Sequence, residues 1–276
     1  MAWRAELQLD YTLESQRTVA RHSHQGPLRI LKSLYPEGDG ICHNVLVHPP
    51  GGLVGGDTID IQISVASGAH GLVSTPGATR FYKSGGHPAL QQVLVHVADQ
   101  GRLEWLPLEA IAYNECEGTN RAVFNLAPGA ELIAWDVTAL GLPTSDQAFT
   151  QGHFQQHLEI PGVWLERGNI QGTDARWLNS PLGLAGQKCL ASLVFACGSP
   201  IATERVERAL AAARQVIEGH PLKLQAGITC AHPQVMVLRV MSPLVEPTMD
   251  LLKQVWAVWR HTLWNLPSEP PRIWSV

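Results

Sequence analysis

Residues 58–72 read TIDIQISVASGAHGL. Isoleucine or valine occupies every second position from Ile59 to Val65, and Gly68 then interrupts the run before Leu72. A period of two places successive side chains on opposite faces of a β-strand, so this pattern indicates a strand with one buried face. The glycine marks a turn into a second strand. The stretch therefore predicts a protein built mainly from β-strands.

The same unit of strand, glycine turn and strand recurs twice further along the chain. Gly68 has counterparts at Gly101 and Gly129, spaced 33 and 28 residues apart. Stacked units of this kind bury one continuous core, as in solenoid folds, whereas irregularly spaced hairpins in an ordinary β-protein are the alternative. We predict a mainly β fold of stacked β-hairpins in a β-solenoid-like, or β-helical, two-layer arrangement. Residues 1–276 are expected to form a single domain.

Two α-helices are expected in the C-terminal third. Residues 203–218 carry an apolar stripe at helical spacing, with Thr203 as a candidate N-cap and Gly219 as a candidate C-cap. Residues 247–265 carry a second stripe that ends before Pro267. Core packing is the favoured role, and a partner interface the alternative, for the three tryptophans of the second helix: Trp256, Trp259 and Trp264.

Composition narrows the class of protein. Lys and Arg total 20 against 24 Asp and Glu, and no basic run stands out, which argues against nucleic acid as a partner. Charged residues make up only 16% of the chain, which is typical either of faces that meet other proteins or of a large core. The five cysteines are scattered and favour a reducing compartment. Because neither a signal peptide nor a membrane-length apolar run is visible, we expect a cytoplasmic protein.

The densest motif is HPPGGLVGGD at residues 48–57. Its four glycines require positive φ angles or a close approach of the backbone to another group. Asp57 and Thr58 stand where a phosphate-binding loop needs Lys and Ser, so a nucleotide site is disfavoured. The motif predicts a structural loop that presents Asp57.

Two further segments carry charged residues within a distinctive pattern. In residues 75–84, Arg80 and Lys83 could bind an anion or a partner's carboxylate, or could belong to a solvated turn. In residues 103–111, Glu104 and Glu109 flank Trp105 and Pro107. Five residues apart around a proline, these acids need not face each other, which disfavours acid–base catalysis.

Histidine is plentiful, with 12 in the chain, but no spacing matches a zinc site. His22 and His24 would share a face if their segment is a strand, and such a pair allows weak binding of a divalent cation. Surface or hydrogen-bonded roles are the simpler interpretation.

Together these segments resemble the UreD family of urease accessory proteins, called UreH in some bacteria. The resemblance covers nearly the whole chain and rests on residues 48–57, 75–84, 103–111, 130–141 and 272–274, which occur in the order of the family. The motif positions that carry it are His48, Gly51, Gly52, Gly55, Gly56, Thr75, Arg80, Tyr82, Lys83, Trp105, Pro107, Trp135, Arg272 and Trp274. The chain departs from the family at Leu142 and Gln147, where Arg and an acidic residue are usual.

The resemblance implies a β-solenoid-like scaffold without catalysis of its own or a tightly bound cofactor. Such a scaffold binds UreF, which recruits the GTPase UreG, and docks on the urease apoprotein so that nickel passes into the active site; it is expected to be dimeric within that complex. Four motif acids are candidates for a transient nickel path: Asp57, Glu104, Glu109 and Asp136. The alternatives are a polysaccharide-active solenoid enzyme and a nickel-storage protein.

Overall fold

A computed structural model describes residues 2–275, which form 18 strands and three α-helices. In chain order the strands are β1 (Arg4–Glu14), β2 (Arg17–Gln25), β3 (Arg29–Leu34), β4 (Ile41–Val47), β5 (Gly52–Leu53), β6 (Thr58–Val65), β7 (His70–Ser74), β8 (Thr79–Phe81), β9 (Ala89–Val97), β10 (Arg102–Leu106), β11 (Ala110–Ala112), β12 (Glu117–Leu126), β13 (Glu131–Leu140), β14 (His153–Ile160), β15 (Trp164–Gln171), β16 (Cys189–Cys197), β17 (Ala226–His232) and β18 (Val235–Ser242). The helices are α1 (Ala175–Asn179), α2 (Thr203–Gly219) and α3 (Val245–Trp264).

The strands form two sheets. Sheet A has seven strands in the order β15-β14-β12-β9-β6-β1-β2. Sheet B has eleven, in the order β17-β18-β16-β13-β10-β7-β4-β3, with β11, β8 and β5 attached in turn beside β13. The inner strands of both sheets pair in parallel, which gives a β-solenoid of about four turns and confirms the predicted two-layer fold.

The predicted hairpin pairing within each unit is corrected by the structure. The strand before the Gly68 turn lies in sheet A and the strand after it lies in sheet B. Each strand pairs with its counterpart in the next unit, as when Ile61 of β6 lies opposite Val93 of β9. The physical reason is that the apolar faces of the two strands must cover each other. A hairpin would place both strands in one layer and leave that layer without a partner.

Two hydrophobic clusters stabilise the two sheets and the helices that cover the outer face of sheet B. The first fills the space between the sheets, where residues such as Ile61 and Val93 meet side chains of sheet B. The second lies between the outer face of sheet B and the helices, where Trp135 packs with Trp256 and Trp259. Sheet B is therefore buried on both faces, which explains why β13 and β16 are almost continuously apolar.

The tryptophans of α3 belong to this second cluster. Trp256, Trp259 and Trp264 are no more than 6% exposed. Each indole nitrogen donates a hydrogen bond inside the chain, to Glu104, the carbonyl of Ala209 and Glu131 respectively. The structure thus corrects the partner-interface interpretation, because these rings present almost no surface to another molecule.

The helix boundaries differ slightly from the prediction. The first predicted helix is α2, but Thr203 is its first residue; the N-cap is Ala202, and His220 follows as the C-cap in place of Gly219. The second is α3, which begins at Val245 and ends at Trp264. The five-residue helix α1 was not predicted, because it is too short to show a periodic stripe.

The glycine motif behaves as predicted. Gly51 and Gly56 adopt φ angles of 76° and 90°, a region that side chains rarely enter. A Cβ atom on Gly52 would lie 2.5 Å from the ring of Tyr82, and one on Gly55 would lie 2.9 Å from the carbonyl oxygen of His87. The loop therefore combines tight turns with close backbone contacts.

Substitution of Gly71 tests the packing between the sheets. A Cβ atom there would lie 2.5–2.8 Å from three ring atoms of Tyr11, whose buried hydroxyl donates to Asn44. Overpacking of a filled core costs about 1–3 kcal/mol, so Gly71→Ala should lower the free energy of unfolding by that amount in urea titrations. Gly77→Ala is the matched control, because nothing lies within 4 Å of its Cβ position. Equal stability of the two variants would contradict the packing described here.

Candidate functional site

The four candidate acids lie in different environments. Asp57 caps its own turn, because its carboxylate accepts hydrogen bonds from the backbone nitrogens of Trp3 (2.7 Å) and Val54 (3.0 Å). Glu109 is half-buried between β10 and β11. Its negative charge adds to burial in raising the pKa of the Cys189 thiol to about 12. The hydrogen bonds of Asp57 therefore give this carboxylate a structural role.

Asp136 lies in a row of polar side chains between the sheets, which we call the interior polar row: Gln91, Asn120, Asp136 and Gln156. Gln91 donates to Asn120 at 3.0 Å, and Asn120 donates to Asp136 at 3.2 Å. The row crosses strands β9, β12, β13 and β14, whose other inward positions are mainly apolar. A cavity of about 20 Å³ adjoins it, which is room for roughly one water-sized group.

Burial controls the ionisation of this row. Removal from solvent raises the pKa of Asp136 to about 6, and the negative charge of Glu166 adds to the effect. Hydrogen bonds from Gln156 and Asn120 act in the opposite direction but do not cancel it. The hydroxyl of Thr138, on the same inward face of β13, has no hydrogen-bond partner within residues 2–275. The interior therefore contains oxygen atoms with unused capacity.

Glu104 belongs to a second group on the opposite face of sheet B, the helix-facing network: Glu37, His43, His70, Glu104 and Arg260. Arg260 of α3 donates two hydrogen bonds to Glu37, at 2.8 and 3.1 Å. Its Nε lies 3.3 Å from Glu104, close enough for ion pairing although not aligned for a hydrogen bond. His43 contacts Glu37 at 2.8 Å and His70 contacts Glu104 at 2.9 Å.

A second ion cluster, centred on Glu131, lies next to the helix-facing network. Glu131 accepts hydrogen bonds from Arg102 (3.1 Å), Trp264 (2.7 Å) and Arg205 of α2. Burial opposes ionisation of Glu131, but the hydrogen bond and charge of Arg205 hold its pKa below the ordinary value. Charged groups therefore attach both long helices to sheet B.

The candidate acids do not form one site. Glu104 is in register with Ile133, on the face of sheet B that contacts the helices, whereas Asp136 is three residues further along and faces sheet A. Within residues 2–275, no group of three or more His, Cys, Asp or Glu side chains could hold a metal ion. Any nickel path through all four acids would have to cross sheet B.

Several motif residues have evident structural roles. Trp274 donates to Ser74 at 2.8 Å and packs against Trp135, which attaches the C-terminal segment to sheet B. Lys83 pairs with Glu115, and Tyr82 packs against Tyr113. Among the other motif positions, the carbonyl of Pro107 accepts a hydrogen bond from the Trp135 indole, and the hydroxyl of Thr75 accepts one from the backbone nitrogen of Leu108. Trp105 is buried, His48 is half-buried, and Arg80 and Arg272 are exposed.

The two departures from the family pattern face each other. Leu142 and Gln147 exchange backbone hydrogen bonds of 2.7 and 3.1 Å across a turn. This turn needs only their backbone atoms, and Leu142 lines an apolar cavity of about 240 Å³ beside the start of α3.

The sequence alone does not indicate most partners of these acids. Gln91 and Gln156 occupy inward positions of strands in which buried and exposed residues alternate. A polar residue among the apolar inward positions is a sequence signal that could have identified both. Arg260 lies within the apolar face of α3, four residues after Trp256, and could have been noticed in the same way. His70 and Glu37 come from distant loops and strands, so no local pattern indicates their contacts.

The fold and these clusters define a class: a β-solenoid scaffold whose buried charges attach a helical layer. The model of the UreD urease accessory protein family matches residues 4–275. The chain is 62% identical to the urease accessory protein UreD of Albidiferax ferrireducens, 60% to that of Paracidovorax citrulli and 48% to that of Leptothrix cholodnii, each over the full length of both chains. The chain belongs to the UreD family of urease accessory proteins, and its role is in urease maturation. In the part of the chain that the structure covers, no helix is long and apolar enough to span a membrane.

Substitution of Arg260 tests how much the helix-facing network contributes to stability. Arg260→Met leaves Glu37 and Glu104 buried without their cation, and breaking a buried ion pair in this way costs about 3–5 kcal/mol. Chemical denaturation should show a loss of this size. Arg208→Met on the exposed side of α2 is the control and should be within about 0.5 kcal/mol of the parent chain. A small effect at Arg260 would mean that the network does not stabilise the helix.

Asp136 predicts a pH dependence of stability. Its pKa in the folded chain, about 6, exceeds the ordinary value of 3.8, so between these pH values only the unfolded chain releases the proton. The contribution of Asp136 to stability is therefore lost as pH rises through that window, by roughly 2–3 kcal/mol in total. Urea unfolding of Asp136→Asn and the parent chain should show the variant gaining relative stability from pH 4 to pH 6.5. A difference that stays flat across this pH range for Asp136→Asn would exclude a raised pKa.

Proposed function

We propose that this chain is the scaffold through which nickel reaches the active site of apo-urease. It binds UreF, and through UreF the GTPase UreG, and it docks on the urease apoprotein as part of a dimeric accessory complex. Membership of the UreD family is the observation that carries this proposal. The low content of charged residues is consistent with surfaces that meet other proteins.

We assign the passage of nickel to the interior polar row. Carboxylate and amide oxygens bind nickel more weakly than sets of imidazole or thiolate ligands do, so an ion held by Asp136 can move on. The small cavity beside Asp136 and the unpartnered hydroxyl of Thr138 support transient binding there. Nickel would displace the proton that burial keeps on Asp136 below about pH 6.

The other three acids serve the fold in this proposal. Asp57 accepts hydrogen bonds from backbone nitrogens. Glu104 forms an ion pair with Arg260 and accepts a hydrogen bond from the Trp256 indole. Glu109 lies outside the interior polar row. A cation at Asp57 or Glu104 would compete with contacts that stabilise the chain.

The proposed role involves no catalysis by this chain and no tightly bound cofactor, since nickel is cargo in transit. We place the step in the cytoplasm, because the five cysteines are all free thiols, as expected in a reducing compartment.

Restoration of urease in cells tests the proposal. A urease operon lacking its UreD gene is expressed with limiting nickel, and either this chain or an empty vector is added. The parent chain should restore both the activity and the nickel content of purified urease. Asp136→Asn should lower both by about tenfold, the scale on which residues around a metal alter its affinity.

Two controls separate the parts of this proposal. Asp39→Asn, on an exposed side chain, should activate urease like the parent chain, and Asp136→Asn should still co-purify with urease and UreF. Full activation by Asp136→Asn at limiting nickel would overturn the assigned passage. Failure of the parent chain both to activate urease and to bind its own UreF and urease partners would overturn the scaffold role.

A further inference from the structure

Two histidines stand side by side on an edge strand of sheet A. His22 and His24 lie two residues apart on β2, so their side chains leave the same face of the strand. Their rings are stacked, with centroids 6.0 Å apart and planes inclined by 19°. Both side chains are exposed to solvent. The arrangement brings two imidazoles together at the surface.

Neither imidazole is occupied by another polar group. Across residues 2–275, no hydrogen bond or ion pair involves the ring of His22 or His24. Other histidines of the chain differ, since His43, His70 and His157 each contact a carboxylate. Because neither ring has a partner in the part of the chain that the structure describes, both nitrogens of each imidazole are available to a ligand.

The pair is placed at the margin of the space between the sheets. In the antiparallel pairing of β1 and β2, His22 lies opposite Leu9 and His24 lies opposite Leu7, so the imidazoles share the inward face with these core residues. Four strand spacings, roughly 19 Å, separate β2 from β12 of the interior polar row. The pair is therefore distinct from the site of Asp136.

The exposed position of the pair also favours metal binding. Exposed side chains change rotamer within nanoseconds, which allows both ring nitrogens to turn towards one ion.

We propose that His22 and His24 form a two-imidazole site for a first-row divalent cation of the Ni²⁺ or Cu²⁺ type. Imidazole suits these ions, and their affinity for nitrogen sites rises towards copper. With two protein ligands, water completes the coordination, so the ion stays exchangeable. That nickel occupies the site in the cell rests on the proposed function, whereas cation binding itself does not.

Titration of the purified full-length chain tests this site. Ni²⁺ alone is titrated by calorimetry, and Cu²⁺ is added in parallel so that electron paramagnetic resonance can count the bound imidazole nitrogens. The parent chain should bind Cu²⁺ through two imidazoles. His22→Ala and His24→Ala should each weaken Ni²⁺ binding by about tenfold or more, the scale expected for loss of a group at a metal site. Thermal unfolding verifies that each variant is folded.

A register control isolates the geometry. The double variant H24Q/Q25H keeps the number of histidines but moves one imidazole to the opposite face of β2, so it should lose the two-nitrogen signal. His96→Ala removes a lone exposed histidine of β9 and should leave the site unchanged. Retention of two-imidazole coordination in H24Q/Q25H, or unaltered Ni²⁺ binding in both single variants, would overturn the proposal.

Cell-based activation separates this site from the proposed function. The variant H22A/H24A should activate urease normally at high nickel and less well at limiting nickel. If it binds no Cu²⁺ through imidazole yet activates urease fully at limiting nickel, the site has no part in nickel delivery, while the scaffold role is unaffected.

Discussion

Parallel pairing between corresponding strands of successive turns is the constraint on which the rest of the structure depends. Because each turn of the solenoid repeats the inward positions of the previous one, side chains form rows that cross several strands. An apolar row gives the core between the sheets, as with Ile61 and Val93. A polar row arises by the same rule, because Gln91, Asn120 and Gln156 are in register on neighbouring strands of sheet A. Asp136 joins this row from sheet B through its hydrogen bond from Asn120.

The second face of sheet B imposes a different requirement. Its outer side is covered by α2 and α3, and the charged groups in that interface, Arg260 with Glu37 and Glu104 in particular, are almost fully buried. Burial of an ion costs free energy unless the ion is paired, so the helices must dock where Arg260 meets Glu37 and Glu104. The contacts that attach the helices therefore lie outside the space between the two sheets.

Periodicity was sufficient to predict the layers but not the contacts between them. Alternating Ile and Val in β6 and the recurring turn glycines indicated stacked units, and the apolar stripes located α2 and α3 to within two residues. Whether a unit closes as a hairpin or spans two sheets depends on pairing with distant strands, so local patterns could not decide it. For the same reason the sequence indicates Asp136 but not its partners, and it groups Asp136 with Glu104 although the two side chains lie on opposite faces of sheet B.

Nickel transfer between purified components is the most direct test of the proposed scaffold role. Apo-urease is mixed with UreF, UreG, GTP and a limiting amount of Ni²⁺, with and without this chain, and the nickel retained by re-isolated urease is followed over time. Nickel should enter urease faster when the chain is present, and the chain itself should retain none at the end. An identical rate of nickel entry without the chain would contradict its role as the scaffold for delivery.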